Sequence, residues 1–236
     1  MILRRILSLL PLLATYLSAE EKKTPAPPKP EIKQLNESEY QIGKVTLNKK
    51  SREVTFGAGV NLVDRPLEYL LVNTKGKVHE ALFLTDVSPT NLNIAMKLVG
   101  FKESKELFEI VDDKYLPTGK FHEVPEEVKK AARLDILVQW QAEDEVKTRP
   151  INDLIIHSIH GKPMDPGPWL YTGSYLLEGR FKAEVAGDLF AIFPRQPAMV
   201  SYPGKDNLND DIWFTHPQRI PEVGTVVKFI LRPHQP

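Results

Sequence analysis

No cysteine occurs in the 236 residues, which excludes disulfides, a lipidated N-terminal cysteine, thiolate metal sites and cysteine nucleophiles together. A packed core must therefore hold the fold. An excess of either charge is also missing, because 31 Lys and Arg balance 31 Asp and Glu with no basic block. Nucleic-acid binding loses its electrostatic footprint. Long apolar runs are scarce too. The run Ile6 to Leu13 falls far short of the roughly 20 residues that span a bilayer, and no other stretch comes close.

What is present at the start has the layout of a secretory leader. Arg4 and Arg5 precede that apolar run, and small residues Ser18 and Ala19 stand before Glu20, so residues 1–19 read as a signal peptide. Leu17 is larger than the usual residue three positions before the cut. A slow cut would leave the leader as an N-terminal anchor, which is the membrane attachment this sequence would provide. Loss of Arg4 and Arg5 takes the basic count from 31 to 29 against 31 acidic residues, a formal charge of −2. Export without cysteine fits a bacterial chain, with a periplasmic or extracellular destination. Pro25, Pro27, Pro28 and Pro30 within EEKKTPAPPKP favour extended polyproline II, so residues 20–35 read as a tether. Residues 36–236 then form one domain, with hydrophobic content of 42% to build its core.

The domain is organised around Leu67 to Gly100. Leu67 to Val72 and Val78 to Thr85 read as strands, and the polar link Asn73 to Lys77 suits a hairpin turn, which predicts an antiparallel pair. Ser88 suits a helix cap and Pro89 the first helical position. Leu92, Ala95, Met96 and Val99 fall at i, i+3, i+4 and i+7 before Gly100, which predicts a helix over Ser88 to Val99 with one face on a sheet.

Upstream, Val54, Phe56, Ala58, Val60 and Leu62 alternate with Thr55, Gly57, Gly59 and Asn61, the pattern of a half-buried strand. The glycines inside that alternation predict a bulge or close packing rather than a dinucleotide site, since no helix follows. Residues 102–130 are charged and irregular and read as an insertion, with a short helix from Glu126 to Arg133 weighed equally against a solvated loop. Leu134 to Trp140 is another strand, while Ile151 to Ile156 fits either a strand or a helical turn. After Trp169 come WLYTGSYLL, GRFKAEVA, DLFAIF, AMVSY and TVVKFILR, all read as short strands. The fold class is therefore α+β: a β-rich antiparallel sheet or partial barrel with one main packed helix.

The stretch GKVHEALF, the SPTNLNIAMKLVG helix, and later WLYTGSYL, GDLFAIF and the Asp-rich run before Trp213 resemble the YdjY-like domain family of exported bacterial proteins. The resemblance spans Ile42 to Leu231. It implies export and a single-domain architecture, and residues 102–130 look inserted relative to shorter members. It implies no established activity. At Asn93 many relatives would carry histidine, so the departure weakens a metal reading there.

Candidate chemistry is sparse. His79-Glu80 lacks the second histidine of a zinc-protease motif, and as strand neighbours the two side chains would point to opposite faces. Glu80 shares its expected face with Val78, Leu82 and Leu84, an unusual place for a carboxylate and a reason to consider a pocket. His157 and His160 have a spacing that would bring two imidazoles together on a helical turn. Gly173-Ser174 lacks the nucleophile-elbow frame, because Thr172 and Leu176 stand where glycines are needed. Asp206, Asp210 and Asp211, with Asn207 and Asn209 between, repeat the side-chain rhythm of a calcium loop without its central glycine or distal glutamate. A polar turn that caps its own backbone is favoured. No cofactor is expected, and calcium would bind there at low affinity at most. Tyr171, Ser174 and Trp213 are candidates for lining a ligand groove.

Two functions are compatible with these residues. The first, favoured by the tether and by the lack of a complete catalytic constellation, is a non-enzymatic cell-envelope module whose partner is an envelope protein or a small ligand. The second is a divalent-metal-dependent hydrolase built on Glu80 and the Asp206 to Asp211 cluster. Convergence of His79 and Glu80 with Asp210 or Asp211 on one concave surface would favour the second.

Overall fold

A computed structural model describes residues 30–235. The leader and the proline-rich part of the expected tether lie outside the described residues. In chain order the elements are β1 (Ile32–Gln34), β2 (Glu39–Ile42), β3 (Val45–Asn48), β4 (Glu53–Val60), β5 (Tyr69–Asn73), β6 (Ala81–Thr85) and α1 (Pro89–Leu98). There follow β7 (Glu109–Val111), β8 (Pro117–Phe121), α2 (Glu126–Ala132), β9 (Arg133–Ala142), β10 (Glu145–Pro150), β11 (Ile155–His157) and β12 (Lys162–Pro163). The last third supplies β13 (Trp169–Tyr171), β14 (Leu176–Leu177), β15 (Arg180–Phe181), α3 (Lys182–Ala186), β16 (Asp188–Ala191), β17 (Val200–Ser201), β18 (Trp213–Thr215) and β19 (Val226–Pro233). No helix among the described residues is long and apolar enough to cross a membrane.

The β-rich body closes on itself. Strands run in the order β4, β19, β9, β13, β17, β16, β5, β6, and β6 pairs back onto β4, so the sheet is a full barrel, with β16 parallel to β17, where the sequence suggested an antiparallel sheet or partial barrel. Closure gives the barrel strands neighbours on both sides, while β1 and β10 remain as edges of the strands that extend it. Phe56, Phe83, Phe190 and Phe229 fill the interior: Phe229 stacks on Phe56 at 5.3 Å and meets Phe83 edge-on at 5.1 Å. Phe190 lies on β16, which is no sheet neighbour of β4 or β19, so its 6.3 Å and 6.1 Å contacts with Phe56 and Phe229 cross the barrel. Strand β4 carries Val54, Phe56, Ala58 and Val60 inward, as the alternation predicts. It has no bulge, and Gly57 is not closely packed: a Cβ there would meet open space, while its carbonyl accepts from Thr85 Oγ1 at 2.7 Å.

The pairing of β5 with β6 corrects the expected hairpin. The strands are parallel, with Tyr69 opposite Ala81 and Val72 opposite Leu84. Parallel neighbours ordinarily need a crossover of about a dozen residues, whereas this one uses only residues 74–80. The chain reverses at Gly76, whose N–H donates to the Asn73 carbonyl at 2.7 Å, and then returns through a 3₁₀ turn over Val78–Glu80. Asn61 ties that turn down by donating to the carbonyls of Val78 (2.7 Å) and Ala81 (2.8 Å). Glycine is required at the crossing point. A Cβ on Gly76 would sit 2.9 Å from the Gly187 carbonyl oxygen, and one on Gly187, at φ +76°, would sit 2.7 Å from Gly76 Cα.

Helix α1 forms as its sequence predicts, with Ser88 Oγ accepting from Asn91 N–H, Pro89 in the first turn, and Leu92, Ala95 and Met96 buried. It lies on β2 and β3 and against α3. Gly100, at φ +93°, ends it. Helix α3 replaces most of the strand expected at GRFKAEVA, and its Glu184 receives hydrogen bonds from Ser88 Oγ at 2.7 Å and Thr90 N–H at 2.9 Å. A carboxylate at a helix N-terminus satisfies orphan donors and complements the dipole. Within the stretch read as tether, Ile32–Gln34 forms the outermost strand, paired with β2. The irregular 102–130 region is an exposed β7–β8 hairpin followed by α2, and residues 151–157 are a 3₁₀ turn leading into β11.

Candidate binding site

Where β5, β16 and the 74–80 connection meet, Tyr69 is fully buried and donates its hydroxyl to Asp188 Oδ2 at 3.4 Å. Asp188 is 4% exposed, and its other oxygen, Oδ1, has no hydrogen-bond partner. Burial pushes the Asp188 carboxyl above its ordinary range, opposed by Lys77, by the Tyr69 hydrogen bond and by Arg195. Burial, reinforced by Asp188, also raises the Tyr69 phenol. Two cations flank the ring, Lys77 Nζ at 5.4 Å and Arg195 Cζ at 5.9 Å from its centroid. Arg195 Nη2 donates to Glu68 Oε2 at 2.8 Å, which leaves its buried Nε unpaired.

Glu80 joins this group from the 3₁₀ turn. Since that turn is not a strand, the expected opposite-facing arrangement of His79 and Glu80 does not form, and His79 Nε2 lies 3.0 Å from Glu80 Oε1. Lys77 Nζ stands 3.8 Å from Glu80 Oε2, an ion-pair distance without a hydrogen bond, and Oε2 is buried with no partner. Glu80 Oε2, Asp188 Oδ1 and Arg195 Nε are thus three of the six buried unpaired side-chain polar atoms among the described residues. Such atoms are uncommon because each forfeits its hydration without a replacement. Their concentration around one tyrosine marks the site.

The other candidate residues sit elsewhere. Tyr171 hydrogen-bonds Asn93 on α1, and burial followed by Glu103 raises its phenol. Glu103 in turn pairs Lys97 at 2.7 Å. Ser174 is buried at φ +58°, its Oγ accepting from Ala183 N–H at 3.1 Å, and Lys105 Nζ donates to the carbonyls of Thr172 and Ser174. These groups are mutually satisfied and hold the loop after β13. The Asp206 to Asp211 segment is a self-capped turn: Asn209 Oδ1 accepts from Asp211 N–H at 3.1 Å, and the Asp206 carbonyl accepts from Trp213 Nε1 at 3.2 Å. Asp206 Oδ2 lies 3.5 Å from His157 Nε2, and the His157 ring packs on His160 at 4.4 Å and on Trp213 at 5.0 Å. Tyr202 beside it is pushed up to about 12 by burial, then by Asp165 and Asp206. No hydrogen bond or ion pair between described residues joins this corner to Glu80, and no three His, Asp or Glu side chains among them are grouped to hold a metal.

Sequence reasoning singled out Glu80 and missed Tyr69, Lys77, Asp188 and Arg195. One signal was available. Asp188 is a lone charge at the head of the apolar run LFAIF, where a carboxylate has no reason to stand unless something pairs with it.

Fold and site together define a class: a closed eight-stranded barrel with a buried, partly unsatisfied polar cluster against its wall. The chain belongs to the YdjY domain family, whose model matches residues 45–232. No curated protein and no solved structure matches it.

Proposed function

We propose that the chain is an exported, non-enzymatic binding module of the cell envelope and that the polar cluster around Tyr69 holds its ligand. One observation carries this reading: Glu80 Oε2, Asp188 Oδ1 and Arg195 Nε are buried without partners around one aromatic ring. A polar ligand would satisfy groups that the fold itself leaves unpaired. The secretory layout of residues 1–19 and the proline-rich stretch after it support export and a tethered body. We read the domain as α+β, with the Ser88 to Val99 helix as its main helix.

The test is a thermal-shift panel of amino acids, amines, saccharides and short peptides on the full chain, Glu80→Gln and Asp188→Asn. A ligand at about 100 times its Kd raises stability by roughly 2.7 kcal/mol. The reading expects at least one class to stabilise the parent chain and to lose that effect in both variants. Stabilisation that both variants retain, or none with any class, overturns it.

A further inference from the structure

We propose that the Tyr69 pocket takes an alkylammonium group, and that Lys77 is a built-in occupant which this ligand displaces. The inference rests on the pocket being the ligand site and names what it accepts.

Three carboxyl groups, Glu68, Glu80 and Asp188, face two cations, Lys77 and Arg195, so an anionic ligand would add to an existing excess of acceptors. Arg195 Nη2 is committed to Glu68, and the unpaired Arg195 Nε is a donor rather than an acceptor. What remains unsatisfied on the acid side is Glu80 Oε2 and Asp188 Oδ1, two acceptors that need N–H donors. Lys77 marks where such a donor goes: its ammonium lies over the Tyr69 ring and within ion-pair range of Glu80, the arrangement by which aromatic rings and carboxylates hold ammonium ions.

Yet Lys77 fills the place poorly. At 3.8 Å from Glu80 it makes no hydrogen bond, and it leaves Asp188 Oδ1 bare. The stem limits it, since Lys77 stands directly before the 3₁₀ turn that carries Glu80, so Nζ must reach back across its own turn. Its side chain is 40% exposed and free to swing into solvent. An untethered ammonium carries three donors and is not held to the geometry of the Lys77 stem. A quaternary ammonium, with no N–H, offers these oxygens no donor.

Calorimetric titration of the full chain with n-butylammonium chloride and with tetramethylammonium chloride tests this, and Nα-acetyl-lysine methylamide serves as a second arm for a peptide-borne amine. The expected results are binding of the primary amine at least about tenfold tighter than of tetramethylammonium, a gain of about tenfold in Lys77→Ala, and a loss of about tenfold in Glu80→Gln and Asp188→Asn. Tighter binding of the lysine derivative than of butylammonium would assign the site to a peptide side chain, and the reverse to a free amine. Equal binding of both ammonium salts, or weaker binding in Lys77→Ala, overturns the proposal. If a saccharide or amino acid from the thermal-shift panel is lost in Asp188→Asn while butylammonium does not bind, the pocket stands and its ammonium specificity falls.

Discussion

The barrel interior and the Tyr69 cluster both hold atoms shut away from water, and they are built on opposite terms. Inside the barrel Phe229 touches Phe56 on the neighbouring strand and Phe83 beside it, and Phe190 meets Phe56 and Phe229 from across the barrel, so the space is closed by carbon against carbon. Around Tyr69, burial has been imposed on oxygens of Glu80 and Asp188 and on Arg195 Nε without completing their hydrogen bonds. The first region is favourable by transfer of apolar surface from water. The second opposes folding by the desolvation of its unpaired groups. One region therefore carries stability and the other opposes it, which is the contrast the proposed ligand site requires.

The largest effect should come from breaking the first region. Phe229 is fully buried and touches the other three rings, so Phe229→Ala removes the centre of the cluster and should lower stability by about 3–5 kcal/mol in urea unfolding. Tyr69→Phe, at an equally buried ring, removes one long hydrogen bond of 3.4 Å and leaves both Asp188 oxygens unpaired, and should lower stability by about 1–2 kcal/mol. Equal losses in the two variants would erase the contrast between the regions.

How far each region could be read in the sequence follows from the range of the forces involved. Helix α1 was fully legible, because Ser88, Pro89 and the Leu92, Ala95, Met96, Val99 spacing act within a few residues of one another. Strand β4 was legible through its alternation. Alternation does not name a partner, however, so the parallel pairing of β5 with β6 and the closure of the barrel stayed hidden. The direction of that pair depends on Gly76 meeting Gly187, a contact between residues far apart in the chain. Helix α3 spans only Lys182–Ala186, too few residues for a helical period to declare itself. At the pocket, Glu80 was conspicuous among apolar neighbours for a reason tied to a strand that does not form. Tyr69, Asp188 and Arg195 come together only once β5 lies beside β16.

An intermediate case sharpens the contrast. Ser88 is polar, but both of its capabilities are used: Oγ accepts from Asn91 N–H at 3.3 Å and donates to Glu184 Oε2 at 2.7 Å. Ser88→Ala should therefore cost about 1 kcal/mol in thermal or urea unfolding, the usual value of a helix cap. A loss below the error of measurement would mean that Glu184, bonded to Thr90 N–H as well, caps the helix unaided.

The smallest effect, and the one that bears most directly on the pocket, is the pH dependence of Asp188. Burial raises its carboxyl above the ordinary value of 3.8, so the folded protein holds this proton to higher pH than the unfolded chain does. The sign follows from linkage: below the unfolded value both states are protonated and the group contributes nothing, whereas above it the folded state is penalised for ionising a buried acid. The penalty grows as pH rises from about 3.8 and is complete once pH passes the folded value. An amide in place of this carboxyl resembles the protonated acid in shape and can still accept from the Tyr69 hydroxyl. Asp188→Asn should therefore match the parent chain near pH 3 and exceed it in stability at pH 7 by up to about 1 kcal/mol. Urea unfolding of both proteins at the two pH values measures the difference. A variant less stable than the parent at pH 7 would show that Lys77 and Arg195 fully compensate an ionised Asp188. Asp188 would then have no unmet demand for an ammonium, and Glu80 Oε2 alone would remain as an unpaired acceptor in the cluster.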